Sequence, residues 1–180
     1  MALADPESDE ELLNQAAAGH KPSFEKLFAR HQGRVGSVLR RLTRNASDAE
    51  ELTQETFLRV LRGSELFRGG KFTSWLYRIA LNLARDLGRR RKAVTLEREE
   101  ATPSGRAGPS EQAAQAEEAE MVRRALERLP GPQKTAIILS RYEGLSYEEI
   151  AEIEECSVDA VKQRVRRGLM ALSEDLKGLA

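Results

Sequence analysis

A chain of 180 residues with 40% hydrophobic but only 5% aromatic side chains has material for one domain or for two small cores. Its best apolar run is "AIIL", Ala136–Leu139, where a membrane-spanning helix needs about 20 residues, and its opening "MALADPESDEELL" is acidic where a signal peptide is basic and then apolar. The reading is therefore of a cytoplasmic chain with no membrane insertion. One cysteine, Cys156, excludes an internal disulfide, and two histidines leave little for a metal site, so no metal, no cofactor and no small-molecule substrate is expected.

The net charge of zero hides a segregation. Residues 1–20 carry −5, 21–92 carry +10, 93–120 carry −5, 121–155 carry −2 and 156–180 carry +2. A +10 block between acidic segments suits a polyanion, but a well-solvated surface has the same composition, so position must decide.

Every periodic segment has helical spacing, which predicts an all-α chain: two small helical bundles joined by a flexible linker, the C-terminal one containing a helix-turn-helix. "SDEELLNQAAAG" opens with a capping box, Ser8 with Glu11, and stops at Gly19. The next helix has Phe24, Leu27, Phe28, His31, Val35, Val38, Leu39 and Leu42 on one stripe. "SDAEELTQETFLRVLRG" reads as a third helix with a box of Ser47 and Glu50, ending near Gly63. "ELFRGGK" then breaks helical order at Gly69-Gly70. The fourth helix carries Phe72, Trp75, Leu76, Ile79, Ala80, Leu83 and Leu87 on its core side. Its other side offers Ser74, Tyr77, Arg78, Leu81, Arg85 and Arg89, with Asn82 at the edge. Six bases face one acid between Arg78 and Lys92, although arginines at a helix end also complement the dipole.

Residues 93–116 are polar and rich in Pro, Gly and Ser, and read as an acidic linker between a domain at 7–92 and another at 117–180. As a coil such a segment spans about 25–30 Å and fully extended roughly 80 Å, so it could join modules about one to two turns of duplex apart. A helix over Glu117–Leu129 follows, then "LPGPQ", with Pro132 suited to the first turn of a helix ending near Glu143-Gly144.

The stretch "GLSYEEIAEIEECSVDAVKQRVRRGL" reads as two capped helices around a three-residue turn. Ser146 with Glu149 boxes the first, and Ser157 caps the second. In the second, Val158, Val161, Val165, Leu169 and Leu172 share one side. Asp159, Gln163, Arg166, Arg167 and Met170 share the other, flanked by Ala160, Lys162 and Arg164. Gln and Arg can read adenine and guanine edges in a major groove, and Lys162 and Arg164 stand better for phosphates. A plain helical hairpin with a solvated basic face is the alternative for this segment alone, and the DNA-facing reading is the one favoured.

The stretches "SDAEELTQETFLRVLR", "FTSWLYRIALNLARDLGRRR" and "LPGPQKTAIILSRYEGLSYEEIAEIEECSVDAVKQRVRRGLMAL", in this order, resemble the small two-domain extracytoplasmic-function (ECF) group of bacterial RNA polymerase sigma factors over roughly residues 10–175. The resemblance implies a region 2 domain at 7–92 that binds core RNA polymerase and the promoter −10 element, and a region 4 domain at 117–180 that binds the −35 element. It implies no catalysis; the partners are promoter DNA, the β′ clamp helices and β subunit of core polymerase, and an anti-sigma factor. Asp48–Arg62 matches the clamp-binding helix, with Asp48, Glu51, Gln54, Glu55, Leu58 and Arg62 as contacts, while Ala49, Leu52, Val60 and Leu61 look inward. "GSELFRGGK" and the next helix match the −10 reader, where a flipped base costs a few kcal/mol that a pocket must offset. Phe67, Arg68, Lys71, Arg78, Asn82, Arg85 and Arg89 are the matching positions; Phe72 and Trp75 lie nearby but also on the core stripe. Ser157, Asp159, Ala160, Lys162, Gln163, Arg164, Arg166 and Arg167 match the −35 recognition helix.

The chain departs from the family at Glu155, where Gly is common and a left-handed backbone costs a side chain about 1 kcal/mol, and at Asp159-Ala160 in place of Gly-Thr. His31 is expected as a packed core-edge side chain and Cys156 as a small one buried in the turn rather than a redox sensor. Two rival readings meet obstacles. A stand-alone helix-turn-helix regulator calls for a dimer surface or ligand pocket, of which no signature is evident. A nucleic-acid enzyme calls for clustered carboxylates, whereas the acids here sit at caps and outer helix faces.

Overall fold

The computed structural model describes residues 7–64, 67, 69–97 and 111–177, and every regular element among them is helical. They form two compact units that divide near Arg90-Arg91.

In the first unit, α1 (Asp9–Ala17) begins at the predicted box. The Ser8 N–H donates to Glu11 Oε2 at 2.8 Å and the Glu11 N–H to Ser8 Oγ at 3.1 Å, satisfying donors that the helix leaves open. Leu12, Leu13 and Ala16 are buried as α1 packs on α2 (Lys21–Thr43). A polar fastening runs alongside. Lys26 Nζ donates to Glu7 Oε2 at 2.6 Å and Gln15 Nε2 to Glu7 Oε1 at 3.2 Å, which together hold the Glu7 carboxyl below its ordinary pKa. Helix α2 buries Leu27, His31, Val35, Val38 and Leu39, with Phe24 and Phe28 edge-on to the Phe57 ring at 6.5 and 4.8 Å.

The start of α3 (Ala46–Arg62) differs from the expected box of Ser47 and Glu50. Arg44 takes a left-handed turn (φ 63°) that ends α2 and delivers Asn45, not Ser47, to the cap. Asn45 Oδ1 accepts from the Ser47 and Asp48 N–H groups at 2.9 and 3.2 Å, so one side chain closes two open donors and Ser47 lies within the first turn. Gly69 and Gly70, at φ 90° and 89°, make the reversal before α4 (Phe72–Glu97). A backbone in this region excludes most side chains. Phe72, Leu76, Ala80 and Leu83 are buried as expected, but so are Ser74, Tyr77 and Leu81, which the stripe pattern sets on the outward side. The buried side of α4 is therefore wider than one stripe, taking in Tyr77 and Leu81, each about 100° round the helix from Leu76 and Ala80.

In the second unit, α5 (Glu111–Arg128) starts six residues ahead of the expected Glu117. With α4 running to Glu97, helices cover both ends of the stretch read as linker, and its centre lies outside the described residues. "EQAAQAEE" consists of strong helix formers, which explains the earlier start. Helix α6 (Gly131–Ile137) has Pro132 in its first turn, as expected, and widens into a π-turn over Ile138–Tyr142. α7 (Tyr147–Glu154) and α8 (Val158–Lys177) complete the unit. Ala125, Leu126, Leu129, Ile137 and Leu172 form a core with Val122, Ala171 and Leu176 against it.

Helices α6 and α8 approach closely at Gly168, where an added Cβ would stand 2.5 Å from Ile137 Cδ1 and 3.4 Å from Gln133 Cβ. Gly168→Val is expected to lower the stability of this unit by about 1–3 kcal/mol, because a packed core does not yield freely. Hydrogen exchange of α6 and α8 peptides reads that loss, and an unchanged protection contradicts the close approach. Glu155 has the left-handed φ, 50°, that its position between α7 and α8 suggested. The Cys156 N–H donates to Ala151 O at 3.0 Å around it, a Schellman closure in which glycine is preferred. Glu155→Gly is expected to raise stability by about 1 kcal/mol in the same experiment, and a loss of that size would contradict the strain.

Candidate nucleic-acid interface

Helix α3 presents the first candidate face. Ala49, Thr53, Thr56, Phe57 and Val60 face inward, and the two threonine hydroxyls donate back to Ala49 O and Leu52 O at 2.6 Å each. That inward seam turns Glu51, Gln54, Leu58 and Arg62 to solvent, with Asp48 and Glu55 half-buried at its border. Glu55 Oε1 accepts from Arg59 Nε at 2.8 Å. Leu61 does not look inward: it is 40% exposed, beside Leu58 at 44%. The buried seam ends at Val60, and one further residue rotates a side chain by about 100°, which carries Leu61 to the Leu58 side. Sequence reasoning missed this second apolar residue, although its i, i+3 spacing from Leu58 was a usable signal.

The second candidate face is the approach to α4 and its outward edge. Phe67 lies with its ring 5.4 Å from that of Trp75, whose other neighbour is Phe72 at 6.3 Å. Phe72 is fully buried and Trp75 half-buried, with Phe67 in contact from the loop. Arg68 lies outside the described residues. Lys71, Asn82, Arg85 and Arg89 are exposed and Arg78 is half-buried. From Arg78 onward the spacing is four, three and four, which keeps these four residues along one edge of the helix. Arg85 Nη1 donates to Asn82 Oδ1 at 3.2 Å, and Arg89 pairs with Asp86. Arg90, Arg91 and Lys92 continue the exposed cationic run.

The third face belongs to the helix-turn-helix. Ser146 and Glu149 close the α7 box, with the Ser146 N–H on Glu149 Oε2 at 2.9 Å and the Glu149 N–H on Ser146 Oγ at 3.2 Å. A turn of Glu155, Cys156 and Ser157 leads to α8, where the Ala160 N–H donates to Ser157 Oγ at 3.1 Å. Val161, Val165, Gly168 and Leu172 are buried, at i, i+4, i+7 and i+11. Asp159, Lys162, Gln163, Arg166, Arg167 and Met170 are therefore exposed, and Ala160 and Arg164 half-buried. Two local contacts order the start of this face: Lys162 Nζ to Asp159 Oδ1 at 3.2 Å, and Arg164 Nη1 to Cys156 Sγ at 3.4 Å. Leu169, expected on the buried stripe, is 36% exposed. Gly168, without a side chain, takes the place against α6, and Leu169 turns with Met170 and Tyr147 toward an open groove.

His31 fits its expectation as a packed side chain: it is 8% exposed, with Nε2 2.7 Å from Asp9 Oδ2. Cys156, expected to be buried, is only half-buried, because the turn that carries it lies at the surface between two exposed residues, Glu155 and Ser157. Among the described residues no group of His, Cys, Asp and Glu is arranged to hold a metal ion, and no helix is long and apolar enough to cross a membrane. The geometry consists of donor-rich helical faces on rigid supports, suited to phosphates and base edges.

The model of Sigma-70 region 2 matches residues 27–94, and that of Sigma-70 region 4 matches 119–172. The ECF RNA polymerase sigma-E factor of Haemophilus influenzae is 35% identical over 190 residues, covering 98% of this chain and 100% of its own. The ECF RNA polymerase sigma factor SigE of Mycolicibacterium smegmatis is 35% identical over 159 residues, 86% of this chain, which spans 62% of that longer relative. Among solved structures, the sigma factor RpoE of Bartonella quintana, seen with the anti-sigma factor NepR, has a TM-score of 0.72 at 26% identity, covering 86% of this chain and 96% of its own. Two sigma-70 regions in order, on two capped helical units, together with near full-length relatives, establish that the chain belongs to the ECF group of the RNA polymerase sigma factor family.

Proposed function

We infer that this chain is a promoter-specificity subunit: it binds core RNA polymerase, directs initiation at promoters through −10 and −35 elements, and is controlled by an anti-sigma factor. It works in the cytoplasm and catalyses no reaction of its own. The domains run from 7 to 92 and from 117 to 180, with the stretch 93–116 between them as a linker. The observation that carries the reading is the pairing of each sigma-70 region with a helix whose buried seam turns cations outward.

In this reading the outer face of α3, with Asp48, Glu51, Gln54, Glu55, Leu58 and Arg62, meets the β′ clamp helices, and Leu61 joins it. Phe67, Arg68, Lys71, Arg78, Asn82, Arg85 and Arg89 handle the −10 strand. On α8, Gln163, Arg166 and Arg167 face base edges of the −35 element, and Lys162 and Arg164 face phosphates. Ser157 serves chiefly as the cap that fixes where the recognition helix starts, since its Oγ already accepts the Ala160 N–H. Asp159 holds Lys162 in place and Ala160 leaves room for close approach. An anti-sigma factor gripping these same faces would block both partners at once.

Run-off transcription with purified core enzyme and genomic DNA tests the function: discrete transcripts that need both proteins are expected, and a chain that core polymerase ignores, or that binds its sites tightly alone, is a stand-alone regulator instead. Leu58→Glu is expected to weaken core binding by about thirtyfold, the loss of one interface anchor, with the melting temperature unchanged. On the recovered promoter, Lys162→Ala should reduce the salt slope of binding by about one, and Arg166→Ala should relax preference at one −35 base pair. Uniform losses across all −35 sequences for Arg166→Ala would remove it from the base-reading set.

A further inference from the structure

Glu10 makes a contact that its own helix does not need. Its Oε1 accepts the backbone N–H of Phe72 at 2.8 Å, across 62 residues of chain. Phe72 is the first residue of α4, so this N–H is one of the donors left open at a helix start. Gly69 and Gly70, just upstream, have no side chain with which to cap it. A carboxylate from α1 supplies the acceptor, and its charge sits favourably at the positive end of the helix dipole.

Glu10 is itself well held. The Ser8–Glu11 box fixes the first turn of α1, and Leu12 and Leu13 beside it are buried. Asp9 accepts from Arg30 Nη1 at 2.9 Å and pairs with His31 Nε2 at 2.7 Å. The His31 ring lies 5.4 Å from that of Phe72, Phe72 lies 6.3 Å from Trp75, and Trp75 lies 5.4 Å from Phe67. An unbroken run of contacts thus leads from α1, through the start of α4, to Phe67 in the loop.

We propose that Glu10 is a positioning residue for promoter opening: by fixing the first turn of α4 it holds Phe67, through Phe72 and Trp75, in the place that receives an unpaired base. The inference rests on the assignment of the Phe67 loop to the −10 strand. Glu10 touches no DNA; it acts through Phe72.

Core enzyme is reconstituted with wild-type protein, Glu10→Ala, Glu10→Gln or Phe67→Ala on a promoter recovered by run-off. Core affinity is read by fluorescence anisotropy, and opening by permanganate reactivity of −10 thymines at saturating protein. Glu10→Ala is expected to lower opening about three- to tenfold with core affinity within about twofold of wild type. Glu10→Gln, which keeps an acceptor and loses the charge, should fall between, and it decides the matter if the alanine variant does not fold. Normal opening with both Glu10 variants, while Phe67→Ala is defective, overturns the positioning role and leaves the loop assignment standing. Normal opening with Phe67→Ala as well removes the loop assignment and the inference together. A parallel fall of core affinity and opening in the Glu10 variants reduces Glu10 to a general structural part and also overturns the proposal.

Discussion

Everything outward on this protein depends on an inward commitment. In α8, burial of Val161, Val165 and Leu172, with Gly168 against α6, locks the rotation of the helix about its axis. Each aliphatic side chain contributes about 1.5–3 kcal/mol to that lock. A rotation by one residue would drive Lys162 toward the core, and a buried unpaired charge costs more than the seam could return. The cations therefore point away from the core because the valines point into it. Helix α3 follows the same rule, with Ala49, Phe57 and Val60 setting the direction of Glu51, Gln54, Leu58 and Arg62.

Rotation alone does not place a side chain; the helix must also start at a fixed residue. Polar caps do this work. Ser157 starts α8, Ser146 with Glu149 starts α7, Asn45 starts α3, and Glu10 reaches from α1 to the start of α4. Three of these are local in sequence. The fourth joins positions far apart in the chain, which makes the start of α4 answerable to the packing of α1 on α2. The left-handed Glu155 belongs to the same group, because the turn geometry it accepts sets the entry of the chain into α8.

These distinctions explain what was legible beforehand. The boxes at Ser8 and Ser146, the cap at Ser157, the strained Glu155 and the buried His31 were all readable, since each follows from a few neighbouring residues or one apolar stripe. Asn45 was missed because two good cap residues stood two apart, and only the turn at Arg44 chose between them. Leu61 and Leu169 read as inward because both are apolar, yet each lies one residue beyond the point where its seam is already filled. The burial of Tyr77 and Leu81 has no signature in a single-stripe pattern. The contact from Glu10 to Phe72 has none at all, since nothing local relates residues so far apart. The candidate faces were thus visible in outline, while their borders were set by packing.

Under the proposed function the α8 face lies against the upstream promoter element only when core polymerase holds the protein there. Cys156, the single cysteine, sits in the turn immediately before that face and can carry an iron chelate that cleaves nearby DNA. With core enzyme on a recovered promoter, strand cleavage should cluster at the −35 element and disappear when core enzyme is left out. Cleavage scattered along the fragment, or equally strong at the same site without core enzyme, would contradict it.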